Sequence, residues 1–249
     1  AGAPSETPSG EEGEGTGPTG LPLDSGNGQD ISLVAMGPES DVSIEGDIAI
    51  NPGRLLVSAG RDILIGNPAN TSPTMVKADK MSARSNQDVK ISKAVVDTKS
   101  LEIIAQRNIH VSNSSQLVAL ATFNFFSEEP GDPDAGTLFM QALDGSITVI
   151  GDDVSEALHL EARDILMEAS QKITLTDVRA SAGIFRARAF GQDGVLEIGG
   201  GRLRGDDILR LYAEGGNGVV KFIDDVILQS NNRVEIAAGK SVEIAAGKK

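Results

Sequence analysis

The sequence predicts an all-β fold, a right-handed parallel β-helix (solenoid) of about nine coils, on three observations. One phrase recurs along nearly the whole chain, its apolar residues alternate with polar ones, and Gly, Asn and Asp gather where one alternation gives way to the next. The phrase is a short apolar alternation, an alanine, a polar turn and a second alternation. It reads LLVSAGRDILIG from Leu55, SLEIIAQRNIHVS from Ser100, TLFMQALDGSITVIG from Thr137, ALHLEARDILMEA from Ala157 and RVEIAAGKSVEIAAG from Arg233. A unit of this kind cannot bury its own apolar face, so copies stack.

The alanines that close the first half of each phrase give the period. Ala35, Ala59, Ala83, Ala105, Ala142, Ala162, Ala187, Ala213 and Ala238 follow one another at a nearly even spacing in the low twenties, with one longer interval between Ala105 and Ala142. Helical repeats need roughly 33 to 47 residues, so a period this short fits a strand-based solenoid. The single long interval holds FNFFSEEPGDPDAGT, which reads as a loop insertion over 123–137.

Within a unit the apolar period is two, as at Val42 and Ile44 or Val226 and Leu228, which puts every second side chain on one face of a strand. Turn residues such as Gly60, Asp62, Gly66, Asn108, Asp144 and Gly218 separate these segments, so a unit holds two or three strands joined by tight corners. Equivalent strands in successive coils then pair in parallel about 4.8 Å apart, and nine coils give a rod of about 40 to 45 Å. The crossover rule favours a right-handed coil. The recurring alanine marks a corner where the chain bends over a narrow core.

Composition narrows the function classes. Aromatics are 3% of the chain, with no Trp, so the core is aliphatic; Cys is 0, which removes disulfides and thiolate metal sites. A net charge of −14 with scattered Lys and Arg argues against nucleic acid, which needs a basic stripe. No apolar run is long enough to span a membrane as a helix, which takes about 20 residues.

Residues 1–30 are different material, rich in Pro, Gly, Ser, Thr and Glu, and read as a disordered acidic linker ahead of a β-helix over 31–249. The chain stops in VEIAAGKSVEIAAGKK, in mid-repeat, so it is expected to be an internal piece of a longer parent. An uncapped coil there offers unpaired backbone and aliphatic side chains. Val242 and Ile244 at that end, with Ile31 and Leu33 at the other, are the expected assembly edge. The expected partners are further repeats of the parent or a second copy stacked end to end.

The doubled VEIAAGK, the stretch DILRLYAEGGNGVVKFIDDVIL and the Ala-turn-[DN]-I-x-I phrase resemble the repeat regions of large secreted bacterial proteins of the filamentous-haemagglutinin and related adhesin type. The resemblance covers about Asp30 to Lys249. It implies a right-handed parallel β-helix, export to the bacterial surface or exterior, and a non-enzymatic structural or adhesive role with a carbohydrate or cell-surface ligand. The family's N-terminal secretion domain is not in this sequence, so the export route does not carry over.

The main rival is a polysaccharide-active β-helix enzyme, and a phage or particle fibre is a third reading. Asp152 and Asp153 in GDDVS resemble the paired aspartates of polygalacturonase-type glycosidases, where two carboxylates supply acid and base. No GHG or RIK follows, and the two histidines, His110 and His159, alternate with apolar neighbours and so face outward. No catalytic residue, metal site or cofactor is expected. Glu128, Glu129, Asp132 and Asp134 crowd the insertion as hard oxygen ligands would for calcium, but match no calcium-loop pattern. Phe123, Phe125 and Phe126 stand beside them, which makes the insertion the expected contact for a ligand or partner. RGD at 204–206 and the sequons at Asn70 and Asn113 are short matches that carry no expectation.

Overall fold

The computed structural model describes residues 30–50, 52–112, 114–120, 136–151 and 158–245, together with the backbone of 23–24. It is a right-handed parallel β-helix. Each coil has three faces, and equivalent strands stack in parallel on each. The third face is the simplest, a nine-stranded sheet from Val42–Ile44 through Val89–Ser92 and Ser146–Ile150 to Ser241–Ile244. On the second face nine rungs run from Ile31–Ala35 and Arg54–Ala59, through 80–85, 100–105, Thr137–Ala142, Asp164–Ala169, 184–189 and 208–213, to Arg233–Ala238. These nine are numbered rungs 1 to 9 below. The first face precedes the second in each coil, and in rungs 3, 4, 7 and 8 one strand of 12 residues bends through both.

The expected period-two alternation is borne out, and its inward half stacks into columns. On the third face one column is Ile44, Ile65, Ile91, Val111, Val149 and Leu175, continuing through Ile198 and Phe222 to Ile244. From Ile65 to Ile198 its members are at most 1% exposed. Each apolar side chain in such a column meets another above and below, so a thin core packs closely with few aromatics. His110 and His159 point outward, half-buried, as their alternation required.

The alanine corner is real, and its register differs from the simple period. The column at the end of the second face is Ala35, Ala59, Ser85, Ala105, Ala142, Ala169, Ala189, Ala213 and Ala238, less evenly spaced along the chain than the alanines of the sequence count. Ala83 and Ala187 lie just short of it, in the neighbouring inward column with Val57 and Leu211. Ala162 belongs to the first face, opposite Ala119. Several inward columns of a narrow triangular core accept a small residue, so alanine alone does not fix the register. Serine at rung 3 substitutes because Ser85 Oγ donates a hydrogen bond to the backbone carbonyl of Arg61.

The [DN] of the repeated phrase follows this corner and has a mechanical role. Oδ1 of Asp41 accepts the backbone N–H of Asp62 at 3.0 Å, Asp62 accepts from Asp88 at 3.1 Å, Asp88 from Asn108 at 3.1 Å, and Asn108 from Ser146 at 3.1 Å. Side chains thus take the backbone N–H groups of Asp62, Asp88 and Asn108 at the corner, while the carbonyls of these residues accept the N–H groups of Val42, Ile63 and Val89 in the coil before. Arg61, Lys90 and Arg107 offset the stacked carboxylates. The turn from the third face into the first is sharper. It is closed by single residues in the left-handed region, Lys93 at φ 51° and Asp177 at φ 52°. Gly66, one register position earlier, is also in this region at φ 78°, where a Cβ would lie 2.1 Å from the carbonyl oxygen of Ser92.

Two substitutions test this register. Ala105→Asp buries a carboxylate with no partner and is expected to cost about 3–5 kcal/mol in denaturant unfolding, whereas Gln116→Lys on the exposed side should be near neutral. Asp88→Ala removes the acceptor for both the backbone and side-chain N–H of Asn108 and should cost about 1–3 kcal/mol. Asp88→Asn keeps an oxygen in place and should recover most of that loss.

Candidate functional site

With the inward half of each strand committed to the core, recognition falls to outward side chains. On the second face the central outward column runs Ser32, Leu56, Ser82, Glu102, Phe139 and Leu166 along rungs 1 to 6. Small serines between larger side chains leave a hollow, and the result is an open trough of about 950 Å³. Its banks are the flanking outward columns, with Arg54, Lys80, Ser100 and Thr137 on one side and Ser58 and Arg84 on the other. Glu102 is held by Ser82 Oγ at 2.6 Å and by Arg84 at 2.9 Å, so its charge is largely spent inside the protein.

Beyond rung 6 the same face becomes a charge zipper. Arg186 donates to Glu168 at 3.0 Å, Arg188 to Glu214 at 2.6 Å and Arg210 to Glu235 at 2.7 Å, each partner standing on an adjacent rung. Tyr212 adds its O–H to Glu235 at 2.7 Å. Tyr212 and then Arg210 hold the Glu235 carboxyl below its ordinary range, while burial and the bond to Glu235 push the Tyr212 phenol up. Arg61 likewise holds Asp41 down.

The ends of the rod form a third surface. The core columns emerge at rung 9 with Val234 43%, Ile236 37%, Val242 47% and Ile244 77% exposed. At rung 1, Ile31 and Leu33 are half-buried against the core. All four residues expected at the assembly edge therefore lie at the two ends of the core columns.

The expected contact residues of the insertion, Phe123, Phe125, Phe126, Glu128, Glu129, Asp132 and Asp134, lie outside the described residues, as do Asp152, Asp153 and the sequon Asn113. The described chain resumes at Gly136, and Thr137 already pairs with Asp164. RGD runs through a strand, not along a loop: Gly205 is buried and Arg204 Nε is 2.6 Å from Asp206 Oδ1. His159 Nε2 is 3.2 Å from Glu161 Oε2. Among the described residues no three His, Asp or Glu side chains stand close enough to share a metal ion, and no helix is long and apolar enough to cross a membrane.

The trough itself was not singled out from the sequence. Its one signal is the apolar residue at an outward position, Leu56, Phe139 and Leu166, which gains meaning only once the register makes the three members of one column. No family model, no curated protein and no solved structure matches the chain.

The Glu235 cluster gives a pH-dependent prediction. A carboxyl whose folded value is depressed contributes stability at neutral pH that is lost as pH falls through that value. Tyr212→Phe removes the largest cause, so Glu235 should titrate higher by carboxyl-carbon NMR, and stability should fall less steeply with acid than in the parent protein.

Proposed function

We propose that this chain is a non-enzymatic structural segment of an exported bacterial surface or filament protein, similar in build to the filamentous-haemagglutinin repeats, and that it works as a rod on which other coils stack. Supporting this reading is the continuity of the core columns up to both ends. Laid upon rung 9, rung 1 of a second copy brings Ile31 over Val234, Leu33 over Ile236, Ala35 over Ala238, Val42 over Val242 and Ile44 over Ile244. Every inward column of the second and third faces then continues, aliphatic on aliphatic and alanine on alanine. Arg233 comes to lie below Asp30, whose carboxylate already accepts the backbone N–H of Arg54 one rung away at 2.9 Å. Stacking on this scale removes apolar area from water and pairs open backbone groups.

The same junction serves a second copy or further coils of one longer polypeptide, and the second face then forms a continuous stripe along the rod. Export and surface location belong to this proposal through the repeat resemblance. Sedimentation velocity over a concentration series tests it. The parent chain is expected to form larger species as concentration rises, and the double variant Val242→Lys with Ile244→Lys to remain monomeric. A parent chain that stays monomeric throughout would rule out contact between copies.

A further inference from the structure

We propose that the two ends of the rod carry opposite charge patterns, so that a second copy stacks in one direction only, rung 1 on rung 9, and copies build open chains and not closed pairs. The proposal rests on the stacking reading above and says what gives the junction its direction. Positions 1–53 hold ten Asp and Glu and no Lys, Arg or His, whereas positions 226–249 hold four Lys and Arg against two Glu. A junction between unlike ends does not close on itself and therefore propagates.

Both rims show the imbalance in detail. At rung 9 two guanidinium groups, Arg210 and Arg233, share one carboxylate, Glu235. At rung 1 two carboxylates, Glu39 and Asp41, share one guanidinium, Arg61. With rung 1 laid on rung 9, Asp30 comes beside Arg233, and because Val42 stands over Val242, Glu39 and Asp41 come beside Lys240. Each group then has as many cations as carboxylates. The N–H of Arg54 engages Oδ1 of Asp30 and leaves Oδ2 for Arg233. Ser241 falls in register with Asp41, and its Oγ can accept the N–H of that residue as the carboxylates do in the coils below. Two rung 1 ends would instead bring together the carboxylates of two first coils with no cation in either coil, and two rung 9 ends would leave Lys240 without the acids of rung 1. At about 0.15 M salt charges more than about 8 Å apart are largely screened, so these contacts outweigh the net charge of the whole chain.

The chain has no Cys, so introduced thiols report the junction alone. In the stack Val34 of one copy lies over Ala237 of the next, both at exposed outward positions. Their strands stand about 4.8 Å apart, inside the Cα separation of about 4.4 to 6.8 Å that a disulfide spans. Mixed under a mild oxidant at about 0.15 M salt, full-length Val34→Cys and Ala237→Cys proteins are expected to cross-link to each other, and neither to itself. Arg233→Glu with Lys240→Glu in the Ala237→Cys copy should lower the yield about tenfold or more, Asp30→Arg with Glu39→Arg in the Val34→Cys copy should restore it, and Lys77→Glu on the first face should change nothing. Circular dichroism melts establish that the variants remain folded. The direction would be overturned, with stacking left in place, by self-cross-linking of either protein as fast as the mixture, by a mixture that fails to cross-link although the parent associates in sedimentation, or by a yield that the charge reversals do not lower or their complements do not restore. No cross-linking together with a parent that is monomeric at every concentration would remove the stacking reading and this proposal with it.

Discussion

The structure depends on one constraint: parallel strands repeat at about 4.8 Å in strict register, so a residue at a given place in one coil meets its counterpart in the next. A side chain that suits its own kind is selected at every inward position. Branched aliphatics do, and they fill the third-face columns from Ile44 to Ile244. Large aromatics are rare in the core, yet Phe185 and Phe222 occupy single rungs between Ile165 and Leu209 and between Ile198 and Ile244. Charged residues do not suit their own kind. Where Asp41, Asp62 and Asp88 stack, each carboxylate takes a backbone N–H from the next coil and a cation from an adjacent one. The corner that looks electrostatically worst is thereby the one most tightly laced.

Outward positions answer to the same geometry without the demand for apolarity. In rungs 6 to 9 Arg and Glu side chains pair between coils, mostly on the diagonal, and give the zipper of Glu168, Arg186, Arg188, Glu214, Arg210 and Glu235. In rungs 1 to 4 the central outward column alternates in size instead, with Ser32 and Ser82 on either side of Leu56, and the surface is hollow. Exposed ion pairs contribute little individually, so the zipper acts more to satisfy a crowded charged surface than to hold the rod together.

The fold was legible because its signal is repeated: period-two alternation, turn residues and a short unit length point the same way at every coil. The exact register was not. Ala83, Ala162 and Ala187 are small residues on inward positions of the wrong column or the wrong face, and nothing local separates them from Ser85, Ala169 and Ala189. Turn lengths between faces vary from a single residue at Lys93 to several at 66–73, so counting along the chain drifts out of register. The inward placement of Ile31, Leu33, Val242 and Ile244 was readable, since it needs only the alternation within one repeat. The trough was not, because Leu56, Phe139 and Leu166 come into one column only through pairing between strands far apart in sequence.

Methyl–methyl contacts between rungs test the account at its centre. With alanine methyls labelled, the in-register stack predicts a nuclear Overhauser effect from Ala142 to both Ala105 and Ala169, its partners on the rungs before and after. It predicts none from Ala142 to Ala162, although Ala162 is nearer along the chain and matches the simple repeat length. Observing Ala142 against Ala162, with Ala169 silent, would contradict the register on which the core columns, the carboxylate ladder and the trough all rest.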